Sequence, residues 1–460
     1  MKYILKYIYS IVPISLLLLI GSCELEEANK NPNDVTSVPA HVLLPFNQES
    51  IASLMIGTTQ VMSGIFMQYY EGIDNYPLSI QTYLVNEATY PEWNFQDYYN
   101  GPMINLIKMI EIAEAGGQRH YVGIGKTMLA LCLGNVTSLW GDVPYTEALQ
   151  STDNLSPEYN DQQSLYDSIQ SLLDAALIDF DAVNEGRLPG TDDVIFSGDI
   201  EKWKQTAYAL KARYYMHVSK RTGELPFDPV TEALSAIENA YTSSESDLIY
   251  QFGFTSLENS PFYSYARLNY IIPNPNFTLF MFELGDPRDT LYYKIKYKKA
   301  NLEERYFTSP ASPVYMVNYH EMKFIEAEAR LRQNTSDPLI QTALNEAVRA
   351  HMKLISSDLI HDTIIDDYIS RNLTLTGVFA DDLETIINQK YIASYAGIES
   401  WTDYRRTGYP DLEPNEGGDH NQNPGGGIPR RLPYPQNERL YNKNFPQPLP
   451  TMQDRFWWDQ

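Results

Sequence analysis

Gly123-Ile124-Gly125-Lys126-Thr127 has the closing residues of a phosphate-binding loop, in which backbone amides and one lysine cradle an anion. The position for that motif's first glycine holds His120 and no strand-like run precedes it, so both glycines are assigned to helix packing. His320-Glu321 opens a zinc-protease pattern, but the second histidine would fall on Phe324. The other histidines, at 41, 120, 217, 351, 361 and 420, are scattered without a cysteine partner, and no Gly-x-Ser-x-Gly elbow is present. Neither a metal site, a cofactor nor a nucleophile is therefore expected. Paired carboxylates could hydrolyse a glycosidic bond, but 59 acidic residues supply such pairs by chance, and a surface glycoside hydrolase stays only as an alternative.

Aromatic residues are the compositional anomaly. The 460 residues include 35 Tyr, 17 Phe and 6 Trp, which points to a contact surface as well as a packed interior. A net charge of −25 excludes nucleic acid as a partner, because phosphate binding needs a basic footprint. At the N-terminus, Lys2 and Lys6 precede an apolar run over residues 11–20, which ends Ile20-Gly21-Ser22-Cys23. Small residues before a cysteine resemble a bacterial lipobox, so residues 1–22 are assigned to a lipoprotein signal peptide and Cys23 to lipidation. The run Glu24-Leu25-Glu26-Glu27 resembles a surface-export signal of Bacteroidetes lipoproteins and opens a tether over residues 23–38. The second cysteine, Cys132, sits between leucines as a core residue.

Residues 39–460 read as one domain built of helix pairs near 95–140, 162–220, 314–354 and 381–406, with a loop-rich insertion at 248–314. In the first pair, Ile124, Met128, Leu131, Val136 and Leu139 recur at helical spacing, while Gly125, Ala130 and Gly134 leave a thin face for a neighbouring helix. Gly141 permits a C-cap with positive φ, Asp142 can bond nearby backbone, and Pro144 prevents the helix from resuming. In the second pair, Asp199 is an N-cap and Trp203, Ala207, Leu210, Tyr214 and Val218 form one apolar stripe. Residues 71–93 read as an irregular loop carrying Tyr76, Tyr83, Tyr90 and Trp93, and residues 294–299 alternate like a lysine-protected edge strand. Residues 407–460 are rich in proline and glycine and mostly irregular.

Several stretches, in order, resemble the SusD/RagB-like outer-membrane lipoproteins of glycan-uptake systems. They are the lipobox with Asn31-Pro32-Asn33, LWGDVPYTEAL at 139–149, KWKQTAYALKARYYMHVSK at 202–220 and FELGDPRDTLYY at 282–293. YHEMKFIEAEARLR at 319–332, QKYIASYAGIESWTDYRRTGYP at 389–410 and IPRRLPYPQNERLYNKNF at 428–445 continue the series. The resemblance implies an all-α-dominated, tetratricopeptide-like scaffold with loop insertions and a few short strands. It also implies a lipid-anchored, outward-facing, non-enzymatic protein that captures oligosaccharide and caps a SusC-like TonB-dependent β-barrel. Some relatives serve peptide uptake, so oligopeptide is the alternative ligand. Trp401, Asp403, Tyr404, Arg405, Arg406 and Asp286-Pro287-Arg288 are expected to hold the fold. Ligand contact is expected from the aromatic loops, because flat rings stack on sugar faces while amides reach hydroxyls. The candidates are Tyr76, Tyr83 and Trp93, with Asn274 and Asn276 as polar partners; the alternative role for Trp93 is to pin its loop onto the helices.

Overall fold

Small residues set how closely the central helices approach. The computed structural model describes residues 38–150, 154–296, 299–302, 305–357 and 359–460, so the leader, Cys23, the acidic run and Asn31-Pro32-Asn33 lie outside the described residues. Residues Ala40–Gln460 form one unit. Its order opens with α1 (Ala40–Ile56), α2 (Thr58–Phe66), β1 (Tyr70–Gly72), α3 (Asn75–Gln81), α4 (Tyr90–Tyr98), α5 (Ile104–Ala115) and α6 (Arg119–Trp140). There follow β2 (Val143–Pro144), β3 (Tyr159–Asn160), α7 (Gln162–Asp181), α8 (Ile200–His217), α9 (Pro229–Ile237), β4 (Leu248–Gln251) and α10 (Pro261–Arg267). Next are β5 (Ile271–Pro273), α11 (Pro275–Leu284), α12 (Asp289–Tyr292), β6 (Lys294–Lys296), β7 (Lys299–Asn301) and β8 (Pro313–Val317). The chain closes with α13 (Tyr319–Gln333), α14 (Leu339–Ser356), α15 (Asp362–Asn372), α16 (Phe379–Ala393), α17 (Glu399–Thr407) and α18 (Gln436–Tyr441). The scaffold is helix-dominated and tetratricopeptide-like, as expected.

Helix α6 is the axis of the larger core and packs against α5, α7 and α8. A Cβ at Gly123 would lie 2.6 Å from the Phe180 ring and one at Gly125 2.7 Å from Ile110, so these glycines serve packing rather than phosphate binding. At its end Gly141 adopts φ +90° and donates to Thr137 O at 2.9 Å. Asp142 accepts from the Gln162 amide at 2.8 Å, twenty residues on, rather than from its own neighbours. Thus the 139–149 turn is tied to the start of α7. The C-terminal strap covers the same end: Leu432 N donates to Leu139 O and Trp140 Nε1 to Pro433 O.

Helix α13 divides two apolar clusters. Met322, Ile325 and Ala329 face the larger one, while Phe324, Ala327 and Leu331 join residues of α14, α15 and α16 in the smaller. Buried ion pairs bolt this region together. Arg213 Nε meets Glu321 at 2.6 Å, Arg406 Nη2 meets Glu328 at 2.6 Å and Asp403 at 2.8 Å, and Lys390 meets Asp403 at 2.9 Å. Arg288 grips Asp286 and Gln389, and Arg405 reaches Ser138 O while lying over the Trp401 ring.

Two stretches are more regular than their sequence suggested. Residues 71–93 hold the end of β1, α3 and the start of α4, and the 248–314 insertion holds α10, α11 and α12 between its strands. Apart from α4, these helices are too short to display a period, and proline at the first turn sets off α10 and α11. The 294–299 run is not one edge strand: β6 and β7 pair antiparallel, with Lys296 opposite Lys299.

Candidate functional site

Gly72 is where the aromatic region is built. Strand β1 pairs antiparallel with β5, Gly72 opposite Ile271, and a Cβ on Gly72 would overlap the Pro77 carbonyl, so only glycine lets α3 fold back onto the strand. Asp74 caps α3 by accepting from Asn75 N at 2.7 Å. That places Tyr76 against Tyr90 of α4, ring centroids 3.8 Å apart, and edge-on to Tyr265 of α10 at 5.7 Å. Tyr90 in turn meets Trp93 edge-on at 5.3 Å. The result is a ledge of four rings from three helices. Trp93, at its outer end, is 52% exposed, whereas the three tyrosines are half-buried.

The ledge adjoins a groove of about 440 Å³, lined by Tyr265 together with Glu49, Ser50 and Ser53 of α1, Asn94 and Asp97 of α4, and Asn100. Tyr90, Trp93, Asn94 and Asp97 share one face of α4 because they stand at i, i+3, i+4 and i+7. The α4–α5 junction then breaks at Gly101 and Pro102, where Gly101 leaves helical geometry. Asn94 donates its Nδ2 to Tyr90 O at 2.6 Å, and Ser53 Oγ donates to Glu49 at 2.7 Å. Partial burial pushes the Asp97 carboxyl above its ordinary value. Exposed ring, half-buried rings, amides and carboxylates are the elements that stack on a sugar face and bond its hydroxyls.

Of the five ligand-site candidates, Tyr76 and Trp93 meet in this ledge. The other three are engaged elsewhere. Tyr83 is fully buried at φ +56°, edge-on to Phe66, and its hydroxyl accepts from Asn415 N at 2.8 Å, which leaves no open ring face. Asn274 is buried as the N-cap of α11, and exposed Asn276 donates to Gln68 Oε1 at 3.0 Å. Tyr90, Asn94 and Asp97 had a signal in the sequence, their helical spacing with Trp93. Tyr265 and Glu49 had none, since they arrive from distant segments.

A second cavity, of about 60 Å³, lies among α8, α13, α14, α16 and the start of α17, lined by Arg213, His320, Glu321, His351, Lys390 and Glu399 among others. Burial pushes the His320 imidazole down to about 3 with help from Arg288 and Lys390, and it lowers His351 similarly. Most of its charged groups serve the ion pairs that join the two cores. Among the described residues no three His, Cys, Asp or Glu side chains are grouped to hold a metal ion.

Comparison with solved structures gives the same fold. A chitin-binding protein superposes with a TM-score of 0.80 at 21% identity, over 92% of this chain and 100% of that one. A SusD homologue from Bacteroides fragilis gives 0.78 at 21% identity, over 92% and 100%. A chitin-binding SusD homologue from Flavobacterium johnsoniae gives 0.71 at 18% identity, over 91% and 99%. No curated protein matches by sequence. Residues 32–435 match the SusD-like family described as starch-binding and associating with the outer membrane, and the chain belongs to that family.

Proposed function

We propose that the protein captures oligosaccharide outside the cell at the Tyr76–Tyr90–Trp93–Tyr265 ledge and passes it to a SusC-like TonB-dependent β-barrel, over which it acts as the lid. Residues 1–22 are the signal peptide, and lipid on Cys23 with the 23–38 tether holds the domain at the outer membrane. The observation that carries the binding role is the half-exposed Trp93 at the end of a ring ledge beside a polar groove. Membership of a family described as starch-binding, and two similar structures named as chitin-binding, support a glycan ligand. The tether supports the lid role, because a short linker keeps two partners at high effective concentration.

Binding rather than hydrolysis is the proposed activity, since no catalytic pattern survived in the sequence. Capture tests it directly: purified protein should deplete maltohexaose or N-acetylglucosamine hexamer from solution and return it at unchanged length. Shortened products would mark a hydrolase, and depletion of neither would reject the glycan role for these two backbones. Extraction of the full-length protein in mild detergent should bring a large β-barrel with it. Recovery of the monomer alone in several detergents would contradict the lid role.

A further inference from the structure

The groove beside the ledge is rich in acceptors and poor in cations. Asn94 is 5% exposed and spends its Nδ2 on Tyr90 O, which leaves its Oδ1 without a hydrogen-bond partner among the described residues. Asp97, one turn further along α4, stands exposed at the groove, with no hydrogen bond or cation among the described residues answering its charge. Glu49 faces the same space from α1 and, among the described residues, is bonded to Ser53 alone. Among the described residues no lysine, arginine or histidine lines the groove. Carboxylates accept and never donate when ionised, so a ligand that satisfies this lining must bring donors. The adjoining rings favour the same species, because an aromatic face attracts a cation.

We propose that this site selects an amino-bearing oligosaccharide, in which ammonium groups of unacetylated amino sugars meet Asp97 and Glu49 while the sugar faces stack on Trp93. The proposal rests on the ledge being the glycan site and adds what distinguishes one glycan from another there. An ammonium group carries three donors and no acceptor, which suits Asn94 Oδ1 and both carboxylates at once. A uronic acid or sulfated sugar would place like charge against Asp97 and Glu49 with no cation to offset it. A neutral glycan can stack on the rings but leaves the carboxylate charges unanswered.

The test is titration calorimetry with four hexasaccharides: β-1,4-linked glucosamine, its fully N-acetylated form, cellohexaose and a galacturonate hexamer. Two partly exposed charge contacts predict that the glucosamine hexamer binds roughly tenfold tighter than either neutral hexamer. The galacturonate hexamer should be weakest. Asp97→Asn combined with Glu49→Gln should remove that advantage, and 0.5 M salt should shrink it by screening. Equal affinity for charged and neutral hexamers, or an advantage that survives the double substitution, overturns the selection and leaves the ledge in place. Trp93→Ala separates the two claims: neutral binding untouched by it moves the site elsewhere whatever the charge preference. Failure of the glucosamine hexamer to bind overturns the proposal outright. A lysine hexapeptide binding more tightly than the glucosamine hexamer overturns the sugar in favour of a cationic peptide.

Discussion

Replacing Arg406 by alanine should show what the buried ion pairs contribute. The Arg406 side chain is 1% exposed, and its guanidinium joins Glu328 of α13 to Asp403 of its own helix α17. Removal leaves Glu328 to Arg332 alone, at 2.7 Å, and Asp403 to Lys390. Breaking a buried pair from one side costs about 3–5 kcal/mol, because the remaining charge stays desolvated. Ala40–Gln460 is roughly 420 residues, and at about 2.1 cal/mol/K per residue its unfolding entropy is about 0.9 kcal/mol/K, so Tm should fall by about 3–6 °C. The loss should depend on pH. Burial alone would raise the Glu328 carboxyl, yet Arg406 and Arg332 outweigh it and hold the group well below the usual carboxylate range. In the parent, that depressed carboxyl contributes stability that is complete above about pH 4.5 and is lost as pH falls through its folded value. In the variant Arg332 remains but the larger lowering influence of Arg406 is gone while burial persists, so the carboxyl rises and acidification costs the variant less than the parent. Scanning calorimetry at pH 7 and pH 4.5 should therefore give a gap between parent and variant that narrows at the lower pH. Replacing Arg406 and Glu328 together by Met and Leu should cost less than Arg406→Ala alone. A shift below 1 °C at pH 7, or a gap that widens on acidification, would refute the reasoning.

Gly72→Ala should displace α3 and with it Tyr76, because the added methyl meets backbone rather than a movable side chain; hexasaccharide affinity should drop together with Tm, and retention of both would contradict the close approach. Burial holds His320 and His351 low, so the unfolded chain takes up their protons first, and stability should fall as pH drops below about 6.5. At pH 5 the loss should approach about 2 kcal/mol per histidine by urea unfolding, in a window above the carboxylates, and His320→Gln should flatten it. If lipid on Cys23 is the anchor, as proposed, Cys23→Ala should shift the protein from the membrane fraction to the soluble one; a variant still acylated and membrane-bound would reject Cys23 as the lipid site.

Legibility in the sequence followed locality. Asp199 does cap α8, accepting from the amides of Glu201 and Lys202, because capping is decided within four residues. The stripe through Trp203 and Tyr214 and the small-residue face of α6 were readable for the same reason: one long helix shows its own period. α15 had no place among the sequence-read pairs, since its 11 residues bury little beyond Ile365 and Tyr368. Within the candidate site, Trp93 was legible as an aromatic in a stretch rich in turn residues. Tyr83 resembled it there, and only the distant Asn415 and Phe66 decide that its ring is enclosed. Tyr265 reaches the ledge from more than 170 residues beyond Trp93, next to the β1–β5 pairing, which no local spacing records.

Trp93 is the residue on which the capture role turns, and Trp93→Ala gives its most direct measurement. A lost stacking platform costs on the order of 1–3 kcal/mol by analogy with base stacking, and the ring is too exposed to be a main prop of the core. Calorimetric titration of whichever hexasaccharide the parent binds should show affinity falling roughly tenfold or more, with Tm within about 1 °C of the parent. Unchanged affinity would contradict the site, and a large fall in Tm would instead make Trp93 the pin that holds α4 in place.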